Sequence, residues 1–260
     1  MGPIAAGAPA SWLEALAPWP EAVGWDANRP TDLARLTHLA AERACRSGAG
    51  VPLRFLSAHS DADLEGGYEQ RIFDQGAVAT RTLGPGAAHD LANALAWLAW
   101  PRLKSRLNAL HVKALSQTTS EPGRRGRLRD RLTLFDESGA LVLTSDPTLA
   151  HALQGFRWRE LFVERRNDWP QRIRVLPVGH ALLEKLRKPY KAICAHAWVL
   201  ALAPALDLDQ IDGEVAARID AQALASLTPL PLLGIPGWWR ANEDPAFYND
   251  PQVFRAGRQR

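Results

Sequence analysis

The chain has 260 residues, a formal charge of +3 and 47% hydrophobic residues, enough to bury one large core, and no long Pro/Gly/Ser linker divides it. Of its 31 cations 26 are Arg and five are Lys, but anions are interspersed with them, which disfavours a nucleic-acid binder with its cations on one face. The two cysteines, Cys45 and Cys194, exclude a disulfide framework and a thiolate zinc site; with no basic leader before Ala10 and no uncharged run of the ~20 residues a spanning helix needs, a cytoplasmic protein without a membrane segment is expected.

In chain order, Ser11-Trp-Leu-Glu14 has capping-box spacing and predicts a short helix before Pro18. From Thr31, the residues Leu33, Leu36, Leu39 and Ala40 recur at helical spacing, with Gly48 as the stop and with His38 and Cys45 riding on the helix. Residues 1–50 thus read as a helical extension packed on the body, and residues 51–260 as a single α+β domain. Tyr68 to Phe73 predicts a further helix. Leu91, Ala94, Leu95 and Leu98 predict a helix beginning near Asp90, continued by Leu103, Leu107 and Leu110 as a second helix or as one bent at Pro101.

The Arg-rich stretch Arg124 to Arg131 reads as a loop. Leu132-Thr-Leu-Phe135 and Ala140-Leu-Val-Leu-Thr144 read as strands of a β-hairpin, closed by Asp136-Glu-Ser-Gly139. Leu161 to Glu164 and Ile173 to Val178 supply further antiparallel strands, and Gly179 hands over to a helix at His180. Leu208, Ile211, Val215 and Ile219 share one helix face. From Pro229 an irregular tail follows, anchored by Trp238, Trp239, Phe247, Tyr248 and Phe254 as core aromatics. The expected fold is α+β, a small antiparallel sheet with a β-hairpin and helices on its sides.

No Gly-x-Gly-x-x-Gly, Walker loop, Gly-x-Ser-x-Gly, His-Glu-x-x-His or Cys-x-x-Cys is present, which sets aside dinucleotide enzymes, P-loop NTPases, α/β-hydrolases, zincins and dithiol redox proteins. The blocks His89-Asp-Leu-Ala-Asn-Ala-Leu-Ala-Trp-Leu-Ala-Trp-Pro-Arg102, Leu132-Thr-Leu-Phe-Asp-Glu137, Gly179-His-Ala-Leu-Leu-Glu-Lys185, and Gly234-Ile-Pro-Gly-Trp-Trp239 through Tyr248 together resemble a bacterial family, the domain of unknown function 3025 (DUF3025). The resemblance spans about Val51 to Arg255 and implies a cytoplasmic bacterial protein, without an activity or a site. It departs from the family pattern at Trp100 and His111, where Phe and Gln are usual, and this sets His111 aside as a catalytic candidate.

The candidate site therefore rests on the residues themselves. His89 and Asn93 lie one helical turn apart with Asp90 beside them, and His180 and Glu184 repeat the four-residue spacing. If the helix starts converge, these five residues share a pocket in which His89 or His180 serves as general base and Asn93 orients a substrate or water. Against this, Asp90 suits a helix N-cap and Glu184 suits an ion pair with Lys188. Two ligands do not make a metal site, and His180 with Glu184 would need His89, Asp90 or His196 as a third. No cofactor is predicted, and a divalent metal is the one inorganic partner the spacing allows.

Arg124, Arg125, Arg127 and Arg129 form a weaker anion-binding candidate beside the hairpin. The expected function is hydrolase-like chemistry on a small polar or phosphorylated substrate. The alternative is a non-enzymatic module for an acidic partner or nucleic acid, in which the same residues cap helices. The oligomeric state is not legible in the sequence.

Overall fold

Apolar residues recurring every three or four positions give the first half of the chain its helices. The computed structural model describes Glu14, Leu16 and residues 30–58, 67–118 and 126–257. The predicted helix start at Ser11 and the arginines Arg124 and Arg125 lie outside the described residues. Helix α1 (Leu33–Glu42) is capped by Asp32, whose side chain accepts from Arg35 N at 2.9 Å, and it buries Leu36, Leu39 and Ala40. It ends sooner than the distant Gly48 suggests: Ala44 turns into the left-handed region and Cys45 is buried beyond it.

Strand β1 (Arg54–Ser57), helix α2 (Tyr68–Gln75) and strand β2 (Ala77–Thr80) form a β-α-β unit with parallel pairing, Arg54 opposite Ala77. Helices α3 (Ala87–Ala99) and α4 (Pro101–Thr118) are separate, because Trp100 leaves helical geometry and Pro101 opens the second. Pro loses nothing at a first helical position. The next two donors, Arg102 N and Leu103 N, give their hydrogen bonds to Asp212 at 2.8 and 2.9 Å.

The predicted β-hairpin does not form. Leu132–Phe135 belongs to helix α5 (Arg127–Ser138), because Leu128, Leu132 and Phe135 stand at i, i+4 and i+7 and make one stripe, with Leu132 and Phe135 buried and Leu134 exposed. Arg127, Arg129 and Arg131 are thereby helical as well, not loop residues. Gly139, the expected turn residue, instead opens strand β3 (Gly139–Leu143). The predicted strand Leu161 to Glu164 is likewise a wide helical turn, Glu160–Glu164, closed by Arg165 N donating to Glu160 O at 2.8 Å. Its neighbours Leu161 and Phe162 are both buried, which alternation along a half-buried strand would not allow.

After β3 come helices α6 (Pro147–Gln154) and α7 (Trp169–Arg172), strand β4 (Arg174–Pro177), helix α8 (His180–Leu186), strand β5 (Cys194–Leu200), helix α9 (Leu208–Arg218) and strand β6 (Thr228–Pro231). The four-stranded sheet has the order β4-β3-β5-β6 and is mixed, not antiparallel: β3 pairs with β5 in parallel, while β3–β4 and β5–β6 are antiparallel. The reason lies in β3, where Gly139-Ala-Leu-Val-Leu143 is an unbroken apolar run buried on both faces. Such runs mark strands covered by helices on both sides, the setting of parallel pairing.

Leu141 and Leu143 face one core with Leu95, Phe135 and Trp198; Ala140 and Val142 face a second with Phe162, Leu182 and Leu230. Trp238, Phe247, Tyr248 and Phe254 anchor the tail in that second core as expected. Among the described residues no helix is long and apolar enough to cross a membrane.

Candidate functional site

Two glycines bring the site together. Strand β4 enters α8 through Gly179, and α5 enters β3 through Gly139, whose carbonyl accepts from both Val178 N and Gly179 N at 2.9 Å. Gly179 lies so close to the end of α5 that a Cβ there would stand 2.5 Å from the Glu137 carbonyl and from Ser138 N. The close approach lays His180, the first residue of α8, against two acids. Its Nε2 is 3.5 Å from Glu137 Oε2 and its Nδ1 is 3.7 Å from Asp136 Oδ2.

His89, in the first turn of α3, completes the arrangement. Its ring meets that of His180 edge-on with centroids 4.6 Å apart, and its Nδ1 is 3.3 Å from Glu184 Oε2, one turn along α8. Imidazoles from distant parts of the chain thus line one cavity of about 380 Å³, together with Asp90, Asn93, Arg129, Asp136 and Glu137. His180 is buried, with 8% of its side chain exposed, whereas His89 is open to solvent at 31%.

The acids behind the imidazoles are themselves held. Buried Lys104 donates to Asp136 Oδ1 at 2.5 Å and to Asn93 Oδ1 at 3.1 Å, and Asn93 Nδ2 donates to Tyr68 Oη at 2.9 Å. Burial pushes the Asp136 carboxyl up, but the charges of Lys104, His180 and His111 outweigh it and hold the group at about 2. Glu137 follows the same pattern: burial opposes ionisation, while the hydrogen bond from His180 and the charges of His180 and His89 bring its carboxyl below the usual range. The Tyr68 phenol is pushed well above its ordinary value by burial, so it is a neutral O–H available to donate.

The candidate residues divide into two roles. Helix α3 starts at Ala87 after Gly86, so Asp90 lies inside the helix and is not its N-cap. Gly86 takes a positive φ of 85°, and a Cβ there would fall on the Arg81 guanidinium. That guanidinium and Arg81 N grip Asp90 through bonds of 2.7, 2.9 and 2.9 Å. Asp90 and Asn93 both line the cavity, Asp90 held by Arg81 and Asn93 hydrogen-bonded to Tyr68 and Lys104. Glu184 pairs with His89 and not with Lys188.

Arg129 reaches the cavity from the first turn of α5, with no ion pair among the described residues, whereas Arg127 is exposed at the start of that helix and is absent from the lining. Of the residues expected as a third ligand, His89 joins His180, but Glu137 stands in the cluster where Glu184 was expected. One ligand atom each from His89, Glu137 and His180 lie within 4.8 Å of one another. Asp136 and Glu137, expected in a hairpin turn, lie instead in the last turn of α5. The spacing of Leu128, Leu132 and Phe135 was the signal that would have placed them at a helix end. His111, set aside on the family pattern, is buried and lines the same cavity.

The charges at this end do not cancel. Asp90 is matched by Arg81 and Asp136 by Lys104, whereas among the described residues the ion-pair partners of Glu137 and Glu184 are imidazoles. Two carboxylates beside two imidazoles attract a cation and can pass a proton between ring nitrogen and oxygen.

No curated protein and no solved structure matches the chain. A family model described as "Protein of unknown function (DUF3025)" matches residues 53–258, which include every residue of the cavity wall and leave the first helix outside. The chain belongs to the DUF3025 family.

Proposed function

We propose that the protein is a hydrolase acting on a small polar substrate, with a phosphorylated or carboxylated group as its favoured feature. The observation that carries this reading is the meeting of His89, His180 and Glu137 on the wall of one cavity. A volume of about 380 Å³ suits a small molecule. Arg129, without a carboxylate partner among the described residues, supplies a fork for an anionic group, and the neutral Tyr68 hydroxyl supplies a donor at the same wall.

In this scheme a water at the imidazole and carboxylate cluster gives up a proton there while its oxygen bonds to the phosphorus or carbonyl carbon. The bond to the leaving oxygen breaks, and that oxygen takes the proton back from the cluster. Asp136, fixed by Lys104, faces the ring of His180 with its charge, and Glu184 faces that of His89. The test is turnover of a panel of small phosphomonoesters and carboxylic esters by the wild type, His180→Ala and Arg129→Ala. His180→Ala is expected to lose about a hundredfold in kcat/KM or more, and Arg129→Ala to raise KM. A wild type inactive across the panel, or a fully active His180→Ala, refutes the reading.

A further inference from the structure

The two imidazoles are oriented alike. Each has a carboxylate behind its Nδ1: Glu184 at 3.3 Å for His89 and Asp136 at 3.7 Å for His180. Carboxylates in that position are the usual outer partners of metal-bound histidines, since they fix the proton on Nδ1 and leave Nε2 to ligate. The Nδ1 of His180 is buried and makes no hydrogen bond, so the nitrogen points at Asp136 without being satisfied by it. A small inward shift of the ring, as ligation would impose, closes that gap.

The spacing fits a small ion. Around a tetrahedral zinc with arms of ~2.1 Å the ligand atoms stand about 3.4 Å apart, and His180 Nε2 is 3.5 Å from Glu137 Oε2. His89 lies within 4.8 Å of both and is half-exposed, so it closes the third position by a side-chain rotation. The fourth position opens on the cavity. Glu137 and Glu184 carry two negative charges that neither Arg81 nor Lys104 takes up, and both face the imidazoles.

We infer that His89, His180 and Glu137 form a binding site for one divalent ion of the zinc type, with Glu184 and Asp136 as the outer carboxylates that aim the two imidazoles. Two histidines and a carboxylate with one open position form a ligand set of zinc hydrolases, and the ion would lower the pKa of a water bound at that position. The inference deepens the hydrolase reading and rests on it for the role of the ion, though not for its binding.

Calorimetric titration of the chelator-stripped protein with Zn²⁺ tests the site. The expected result is one ion per chain, with affinity lower by about a hundredfold in His89→Ala and Glu137→Gln and by about tenfold in Glu184→Gln, while the melting temperatures of the metal-free variants stay near that of the wild type. Should His89→Ala fail to fold, Glu137→Gln and Glu184→Gln decide, since both keep the shape of the side chain. Absence of binding by the wild type, or unchanged affinity in Glu137→Gln, overturns the site. Stoichiometric zinc in a protein inactive on every ester upholds the site and removes the hydrolase reading. Ester hydrolysis by a stripped wild type that binds no zinc does the reverse, removing the site and leaving the imidazoles as acid and base.

Discussion

Asp90 shows how a carboxylate beside the imidazole cluster is taken up by an ion pair. It lies among the cavity residues, but Arg81 takes both its oxygens, and the pair stitches the chain after β2 to the first turns of α3. Asp90→Asn is expected to lower stability by about 1.5–3 kcal/mol in urea denaturation, as for a hydrogen-bonded charge removed from a largely buried pair; an unchanged midpoint would show the contact to be idle. Asp146 tests the acid limb. Its carboxyl is held far below the usual range, first by the Thr148 hydroxyl and then by Arg165. A depressed folded pKa gives stability that is complete above the unfolded value of about 3.9 and lost as pH falls below it. Asp146→Asn should therefore unfold less steeply with acid than the wild type, and parallel acid-denaturation curves would count against the pair. At this scale the sequence was informative where a residue's spacing alone set its direction, as with His180 and Glu184 on one helix. It was silent on Lys104 and Tyr68, whose partners come from elsewhere in the chain.

Element by element, the site depends on junctions more than on the helices themselves. The close approach of Gly179 to Glu137 sets how far His180 stands from the acids of α5. Because the neighbouring atoms are backbone, Gly179→Ala cannot be absorbed by a rotating side chain. It is expected to cost about 1–3 kcal/mol and to weaken zinc binding together with stability, as read by denaturation and titration of the same sample; wild-type values in both would mean that the junction is loose. The same junction explains what pattern reading missed. Leu132-Thr-Leu-Phe135 has the composition of a strand, but Leu128, Leu132 and Phe135 have the period of a helix, and burial follows the period. Pro101 allowed either a kink or a break, and the cap that Asp212 provides from α9 is part of the break that formed.

Across the whole molecule, the mixed sheet separates two hydrophobic cores and carries β3 and β4 to the edge of the cavity, where α5 ends and α8 begins. The α+β class was legible from segments of both periods. The pairing of β3 with β5 was not, because a strand buried on both faces has no alternation to declare its partners. The convergence of His89 with His180 was expected from two separate helix starts, and the tertiary arrangement alone supplied Glu137 as their third member. The central claim is that these three side chains act as one unit, and groups that do so lose function non-additively. The most direct test is kcat/KM for the best ester substrate in His89→Ala, Glu137→Gln and the double variant. The account predicts that the double variant falls no further than the worse of the two singles, whereas a loss equal to the product of the single losses would contradict it.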